Sequence, residues 1–196
     1  MRRERLIMLM GIIVILMGII GSLYNLICSE KAMTASKKAL TEFIEEKNRR
    51  GKETEGLTQE TEAAGSIMPD GTCYAGILEI PSLELALPVE TDWSYEALQR
   101  NPCRYCGAAE SSDLIVAAHN YKSQFGELKK LKQGDSVRFI SVSGDEYSYT
   151  VSYIETIDPS TTDELFSGNW DLTLFTCTPG GLKRLTVRCL LLKQGA

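Results

Sequence analysis

Two residues of this chain could together do thiol chemistry, Cys177 as nucleophile and His119 as proton carrier. The thiol ends the run Thr173-Leu174-Phe175-Thr176-Cys177, which is apolar and β-branched. The loop Thr178-Pro179-Gly180-Gly181 then turns the chain back into Leu182-Lys183-Arg184-Leu185-Thr186-Val187-Arg188-Cys189. In that return segment Leu185, Val187, Cys189 and Leu191 alternate with Arg184, Thr186 and Arg188, the pattern of a half-buried strand. Cys177 therefore stands where a strand ends, a place from which a nucleophile is exposed on a rigid support. An inert thiol in an ordinary hairpin is the competing reading, because free Cys is commonly a small core residue. His119 is the sole histidine, and it closes the apolar strand Leu114-Ile115-Val116-Ala117-Ala118 before the polar turn Asn120-Tyr121-Lys122-Ser123. Thiol chemistry needs a proton carrier within hydrogen-bond reach, and a histidine at a strand mouth supplies one.

A third group follows from strand geometry. If residues 178–183 form the loop, Cys177 lies opposite Arg184, and directly opposed residues point to the same side of a sheet. Arg188 is four residues further on, roughly 13 Å away at about 3.3 Å per residue, beyond direct contact with a group reacting at the sulfur. The spacing predicts Arg184 as the site arginine. The remaining cysteines sort differently. Cys189 shares the face of Leu185 and Val187 and is expected in the core, while Cys28 sits at the end of an apolar run. Cys103-Arg104-Tyr105-Cys106 has the spacing of a redox pair or half a zinc site. A zinc site lacks its second pair here, and the surrounding pattern is not the βαβ unit of a thioredoxin-like motif. An external disulfide or two free thiols is the expectation, and no metal or other cofactor is called for.

These residues need a frame to hold them. The 196 residues carry a net charge of −5, made up of +2 in residues 1–5, −2 in 29–72 and −5 in 73–196. An acidic working domain argues against nucleic acid as a partner. Leu6 to Cys28 is a run of 23 residues without a charge, long enough to cross a bilayer as a helix. It exceeds the apolar core of a usual signal peptide, and no Ala-x-Ala cleavage site follows, so an uncleaved anchor is expected. Arg2, Arg3 and Arg5 precede it, which places the N-terminus in the cytoplasm and everything after Cys28 outside. Residues 1–28 then form the tip and transmembrane anchor. Met33, Leu40, Phe43 and Ile44 fall loosely at helical intervals within Ser29–Arg50 and predict a short membrane-proximal helix acting as spacer. Gly51–Thr72, rich in Gly, Glu and Thr, is expected to be a flexible tether, so 29–72 links the anchor to a domain over 73–196.

Within that domain Tyr74–Ile80 and Leu83–Val89 are two strands split by Pro81-Ser82, and Asp113–His119 is another. Ser94–Arg100 and Phe125–Leu131 are expected as short helices. Ser136–Val142 and Glu146–Ile157, separated by Gly144-Asp145, form a hairpin. With the final pair this makes seven or eight strands in some 125 residues, a mainly β fold closing into a barrel with helices inserted between strands.

Thr173-Leu174-Phe175-Thr176-Cys177 resembles the Thr-Leu-x-Thr-Cys signature of sortases, the membrane-anchored cysteine transpeptidases of Gram-positive bacterial surfaces. The resemblance covers Tyr74 to about Leu192, and the upstream His119, the downstream Arg184 and the N-terminal anchor agree with it. It implies an eight-stranded sortase barrel with Cys177 as nucleophile, His119 as proton carrier and Arg184 as the site arginine. It also implies the partners: a surface protein or pilin bearing a sorting signal similar to Leu-Pro-x-Thr-Gly, and an accepting amine from a peptidoglycan precursor or a pilin lysine. No hydrophobic span follows Arg188 and no Asp-Pro-aromatic lid precedes the domain, so the class stays open. Candidate substrate-binding residues are Thr176 and Asn120, which flank the reacting pair, and Leu165, Phe166 and Trp170 in the long loop Asp158–Trp170. The last three could equally serve barrel packing. Two other functions compete. An L,D-transpeptidase also uses Cys, His and Arg, but its motif has His close to Cys, and none lies near Cys177. An anchored, non-catalytic binding module would carry an inert Cys177.

Overall fold

In the computed structural model, which describes residues 2–53, 66–67 and 71–192, the chain begins as one helix, α1 (Arg2–Glu53). Its continuity has a simple origin. No proline occurs before Pro69, and the apolar stretch runs straight into a segment rich in Ala, Lys and Glu, all good helix formers. The anchor and the separate short helix expected after it are thus a single rod of 52 residues, about 78 Å long. Its segment Ile7–Glu42 is long and apolar enough to cross a membrane by length and composition. The tether expected over Gly51–Thr72 falls mainly on residues 54–65 and 68–70, which lie outside the described residues.

The rest is a barrel. Its strands are β1 (Ser66–Ile67), β2 (Cys73–Ile80), β3 (Leu85–Glu90), β4 (Cys103–Cys106), β5 (Leu114–Ala117), β6 (Ser136–Ser141), β7 (Glu146–Ile157), β8 (Leu172–Cys177) and β9 (Arg184–Leu191). Neighbours run β2-β3-β4-β5-β8-β9-β7-β6, and β6 pairs back onto β2, so eight strands close the ring while β1 adds two residues to the edge of β2. At the β2–β6 seam Gly76 lies so close to Ile140 that a Cβ would collide with the Ile140 carbonyl. Two short helices sit outside: α2 (Tyr95–Arg100), capped by Ser94 accepting from Ala97 N–H at 3.0 Å, and α3 (Thr162–Phe166). Pro81–Leu83 forms a 3-10 turn between β2 and β3 where the Pro-Ser break was expected.

Strand alternation divides the apolar residues in two. Leu114, Val116, Ala118, Leu172, Leu174, Val187 and Cys189 point inward and fill the barrel with Leu78, Val89, Phe125 and Val137. Ile115, Ala117 and Phe175 point outward and form a second cluster with Ala97 and Leu98 of α2, Leu165 of α3, Cys103 and Ile157. The outer cluster seats both helices on the wall made by β4, β5 and β8. One expected element is shorter than its sequence suggests. Of Phe125–Leu131 only Leu128–Lys130 turns, as a 3-10 helix. The preceding residues are committed elsewhere: Phe125 N–H donates to the His119 carbonyl at 3.1 Å and Gly126 N–H to Tyr121 at 2.9 Å. A Cβ on Gly126 would stand 2.5 Å from the Asn120 carbonyl oxygen.

Candidate active site

Three neighbouring strand ends assemble the site. β5 and β8 run parallel with Ala117 opposite Phe175, and Ala118 N–H continues the ladder to the Phe175 carbonyl at 3.2 Å. His119 follows Ala117 by two residues and Cys177 follows Phe175 by two, so both stand at the same end of the parallel pair. On the opposite flank β9 pairs antiparallel with β8, with Cys177 opposite Arg184. His119, Cys177 and Arg184 therefore lie side by side across β5, β8 and β9. The tight connection 178–183 sets that register: Thr178 N–H donates to the Lys183 carbonyl at 2.8 Å, and Lys183 N–H returns to Thr178 Oγ1 at 3.1 Å. Gly180 and Gly181 take φ of 84° and 72°, which side-chain-bearing residues rarely adopt.

The three groups differ in environment. Cys177 is exposed at the strand end. His119 is half-buried beside Tyr121, ring centroids 4.9 Å apart, and burial lowers its pKa from the ordinary value of 6.5. Arg184 lies over the Phe175 ring at 5.4 Å, and its Nη1 is buried without a hydrogen-bond partner. Such a donor, fixed and unpaired, is a group able to receive a developing negative charge. Among the described residues no hydrogen bond joins the three side chains. The other thiols are unlike Cys177. Cys189 and Cys103 are buried, and desolvation pushes each up to about 12. Cys106 is raised by burial and then by the Asp113 charge, and Cys103 and Cys106 are not bridged.

Phe175 and Thr173 precede Cys177 on the outer face of β8, and Thr173 borders a hollow there. It is a cavity of about 200 Å³ bounded by Cys106, Ile115, Leu165, Phe166, Trp170, Thr173 and Arg188. Phe166 is 52% exposed on its rim and Leu165 is buried beneath, so of the loop residues singled out Phe166 and Trp170 face the cavity while Leu165 also packs the outer cluster. Aromatic rings continue the wall: Trp93 meets Tyr105 at 5.8 Å, and Tyr105 meets Phe175 at 5.3 Å and Phe166 at 6.3 Å. Asn120 follows His119, half-buried. Thr176 is not brought to the cavity. It alternates with Cys177, is 3% exposed, and turns its hydroxyl to the barrel side, where Oγ1 finds no partner.

Arg188, excluded from the reacting centre by distance, has a different place. Its guanidinium, 1% exposed, donates to Glu155 Oε1 at 2.9 Å, to the carbonyls of Leu165 and Glu164 at 2.7 and 2.6 Å, and to Thr173 Oγ1 at 3.2 Å. It fastens α3 to the barrel. Sequence alternation had put Arg188 on the outer face, but nothing local signals that a helix from 24 residues upstream would cover it.

The closed eight-stranded barrel thus carries an exposed strand-end thiol, with a histidine past the end of one neighbouring strand and an arginine opposite it on the other. The family model described as the sortase domain matches residues 78–192, and the chain belongs to the sortase family of cysteine transpeptidases. Among solved structures it is similar to a sortase D5 transpeptidase of Clostridium perfringens, with 22% identity and a TM-score of 0.60 over 81% of this chain and 99% of that one. It is also similar to sortase C1 of Streptococcus suis, with 29% identity and a TM-score of 0.53 over 63% of this chain and 75% of that one. Sortase C of Streptococcus pneumoniae shares 26% identity at a TM-score of 0.56 over 73% of this chain and 78% of that one. None of the curated proteins compared matches the chain.

Proposed function

We propose that this sortase cleaves a Leu-Pro-x-Thr-Gly-like signal at the C-terminus of a surface protein and joins the new end to an amine of the cell wall or of a pilin. The observation that carries this reading is the register placing His119, Cys177 and Arg184 on three adjacent strand ends. The Cys177 thiolate attacks the carbonyl carbon of the signal's threonine, and the oxyanion that forms accepts hydrogen bonds from Arg184. His119 as imidazolium gives its proton to the departing glycine amine, leaving a thioester on Cys177. An incoming amine then attacks the thioester, His119 takes the amine's proton, and the thiolate is released. With ordinary values of about 8.5 and 6.5 an isolated pair would be thiolate and imidazolium only about 1% of the time. The lowered value at His119 makes that pair rarer still, so substrate binding has to favour it. Leu165, Phe166 and Trp170 form the wall for the apolar start of the signal, with Asn120 beside the reacting pair.

In the same reading residues 1–28 form a cytoplasmic tip and membrane anchor, 29–72 the connection, and 73–196 a catalytic domain outside the membrane. The long apolar helix and the arginines before it support this. The pneumococcal sortase C is described in terms of pilin substrate specificity, which supports a pilin lysine as acceptor alongside a peptidoglycan amine. The test is to incubate the full chain with a panel of sorting-signal peptides and look for the acyl adduct by mass. Cys177→Ala abolishes the adduct. His119→Ala and Arg184→Ala lower its rate of formation by about 10²-fold or more while leaving the melting transition in place. An unmodified Cys177 across the whole panel contradicts the proposal.

A further inference from the structure

The histidine does not hold itself in position. The loop after β5 leaves the barrel at His119 and comes back at Phe125, and two consecutive side chains in it, Ser123 and Gln124, make its outside attachments. Gln124 is fully buried. Its Oε1 accepts from the backbone N–H of His119 at 2.9 Å, and its Nε2 donates to the carbonyls of Leu98 and Arg100 at 3.3 and 3.2 Å, at the C-terminal end of α2. Ser123 reaches the other way, donating from Oγ to the Ser29 carbonyl on α1 at 2.8 Å, with the two hydroxyls 3.3 Å apart.

The same helix also touches the far side of that polar seam. Ser36 Oγ lies 2.8 Å from Asn101 Oδ1 and 3.3 Å from the Arg100 carbonyl, the carbonyl that Gln124 also uses. The sequence explains why α1 fits there. Ser29, Ala32, Ser36 and Leu40 recur at helical spacing and form one face. Ala32 and Ser36, 1% and 3% exposed, are small enough for the helix to lie close, and Leu40 packs on Tyr74 and Ile77. Nearer the apolar stretch, Tyr24 and Cys28 share a cavity wall with Tyr121, whose ring stacks on His119. The segment expected as a spacer is in fact docked, because this face satisfies buried polar groups of the barrel side that would otherwise lack partners.

We propose that Ser123 and Gln124 are positioning residues for His119, and that α1 beyond its apolar stretch is the support against which they hold it. The inference rests on the reading of His119 as proton carrier. Gln124 fixes where the histidine backbone leaves the strand, and the Ser123–Ser29 attachment keeps the loop from lifting. Loss of either tie lets the ring swing away from the leaving amine without altering the cavity proposed to take the signal.

The test uses the full chain in nanodiscs, where the only histidine gives a single pair of imidazole resonances. Variants are Gln124→Ala, Ser123→Ala, Ser123→Thr, and Ala32→Trp, whose bulk forces α1 off the barrel. In Gln124→Ala, Ser123→Ala and Ala32→Trp the His119 resonances move or broaden, and kcat for a sorting-signal peptide falls about tenfold or more with KM within about twofold. Ser123→Thr, which keeps the hydroxyl, restores both readouts. His119 resonances and kcat unchanged in Ser123→Ala and Ala32→Trp overturn the proposal, and both variants remain informative if Gln124→Ala fails to fold. A KM rise with kcat unchanged also overturns it, since that outcome assigns the loop to substrate binding. If the unaltered chain turns over no peptide, the proposed function fails, whereas the His119 resonances still decide the positioning role.

Discussion

His119 meets burial as the dominant influence on its titration. Desolvation disfavours the imidazolium, so its pKa is below 6.5 in the folded chain. The acid limb of kcat/KM therefore falls below pH 6.5, and the ring proton titration observed by NMR has its midpoint there too; a midpoint at or above 6.5 contradicts this. The sign for stability follows from the same shift. The unfolded chain binds the proton more readily than the folded one, so the site favours folding fully above the ordinary value, and that contribution is lost as pH drops through the lowered one. The strand-end positions of Cys177 and His119 were legible in the sequence from local pattern: a thiol before a Pro-Gly turn, and a lone histidine just past an apolar strand. Arg184 was legible through register alone, which β8 and β9 adopt as Cys177 opposite Arg184. Gln124 and Thr176 were not. A glutamine seven residues after a strand has no signature until α2 presents its carbonyls, and Thr176 was taken with Cys177 although alternation sends neighbouring side chains to opposite faces.

At the scale of elements, α3 is one wall of the cavity and Arg188 is its fastening. Removing that side chain strips two carbonyls and Thr173 of a donor and leaves Glu155 without its cation. Arg188→Met is expected to destabilise the domain by about 3–5 kcal/mol, measured by denaturant unfolding. Thr173→Val removes one bond only and is expected to cost about 1 kcal/mol. In Thr173→Val KM for the signal peptide rises, while alkylation of Cys177 by a small thiol reagent keeps its rate, because the wall shifts and the reacting centre does not. Equal losses in both assays contradict the assignment. The strands themselves were legible from period-two alternation and their Gly and Pro breaks, as in the hairpin β6–β7 with its turn at Gly144-Asp145. The Phe125–Leu131 segment was not, because its apolar spacing is helical while its backbone donors are used to close the loop after His119.

For the whole molecule, closure is decided at a seam the sequence does not announce. β2 and β6 meet where Gly76 lies against Ile140, 64 residues further along the chain. Gly76→Val is expected to destabilise the barrel by about 3 kcal/mol, seen as a lower unfolding midpoint with the denaturant slope unchanged; an unaltered midpoint means the seam has slack. The count of about eight strands could be read from spacing, whereas the order of their pairing depends on contacts remote in sequence. The course of α1 was hidden for the same reason: its docking face consists of Ser and Ala, which carry no hydrophobic signal on their own. That helix passes without a break from its apolar stretch to Ser36, with Ser29 and Ser36 both fastened to the barrel side. From Cys28 to Ser36 is about 12 Å along the axis. If the apolar stretch lies in a bilayer, the rod acts as a ruler: it holds the barrel at one fixed height from the membrane. A substrate must then present its scissile bond at that same height, so reach from the membrane becomes part of what this enzyme can select.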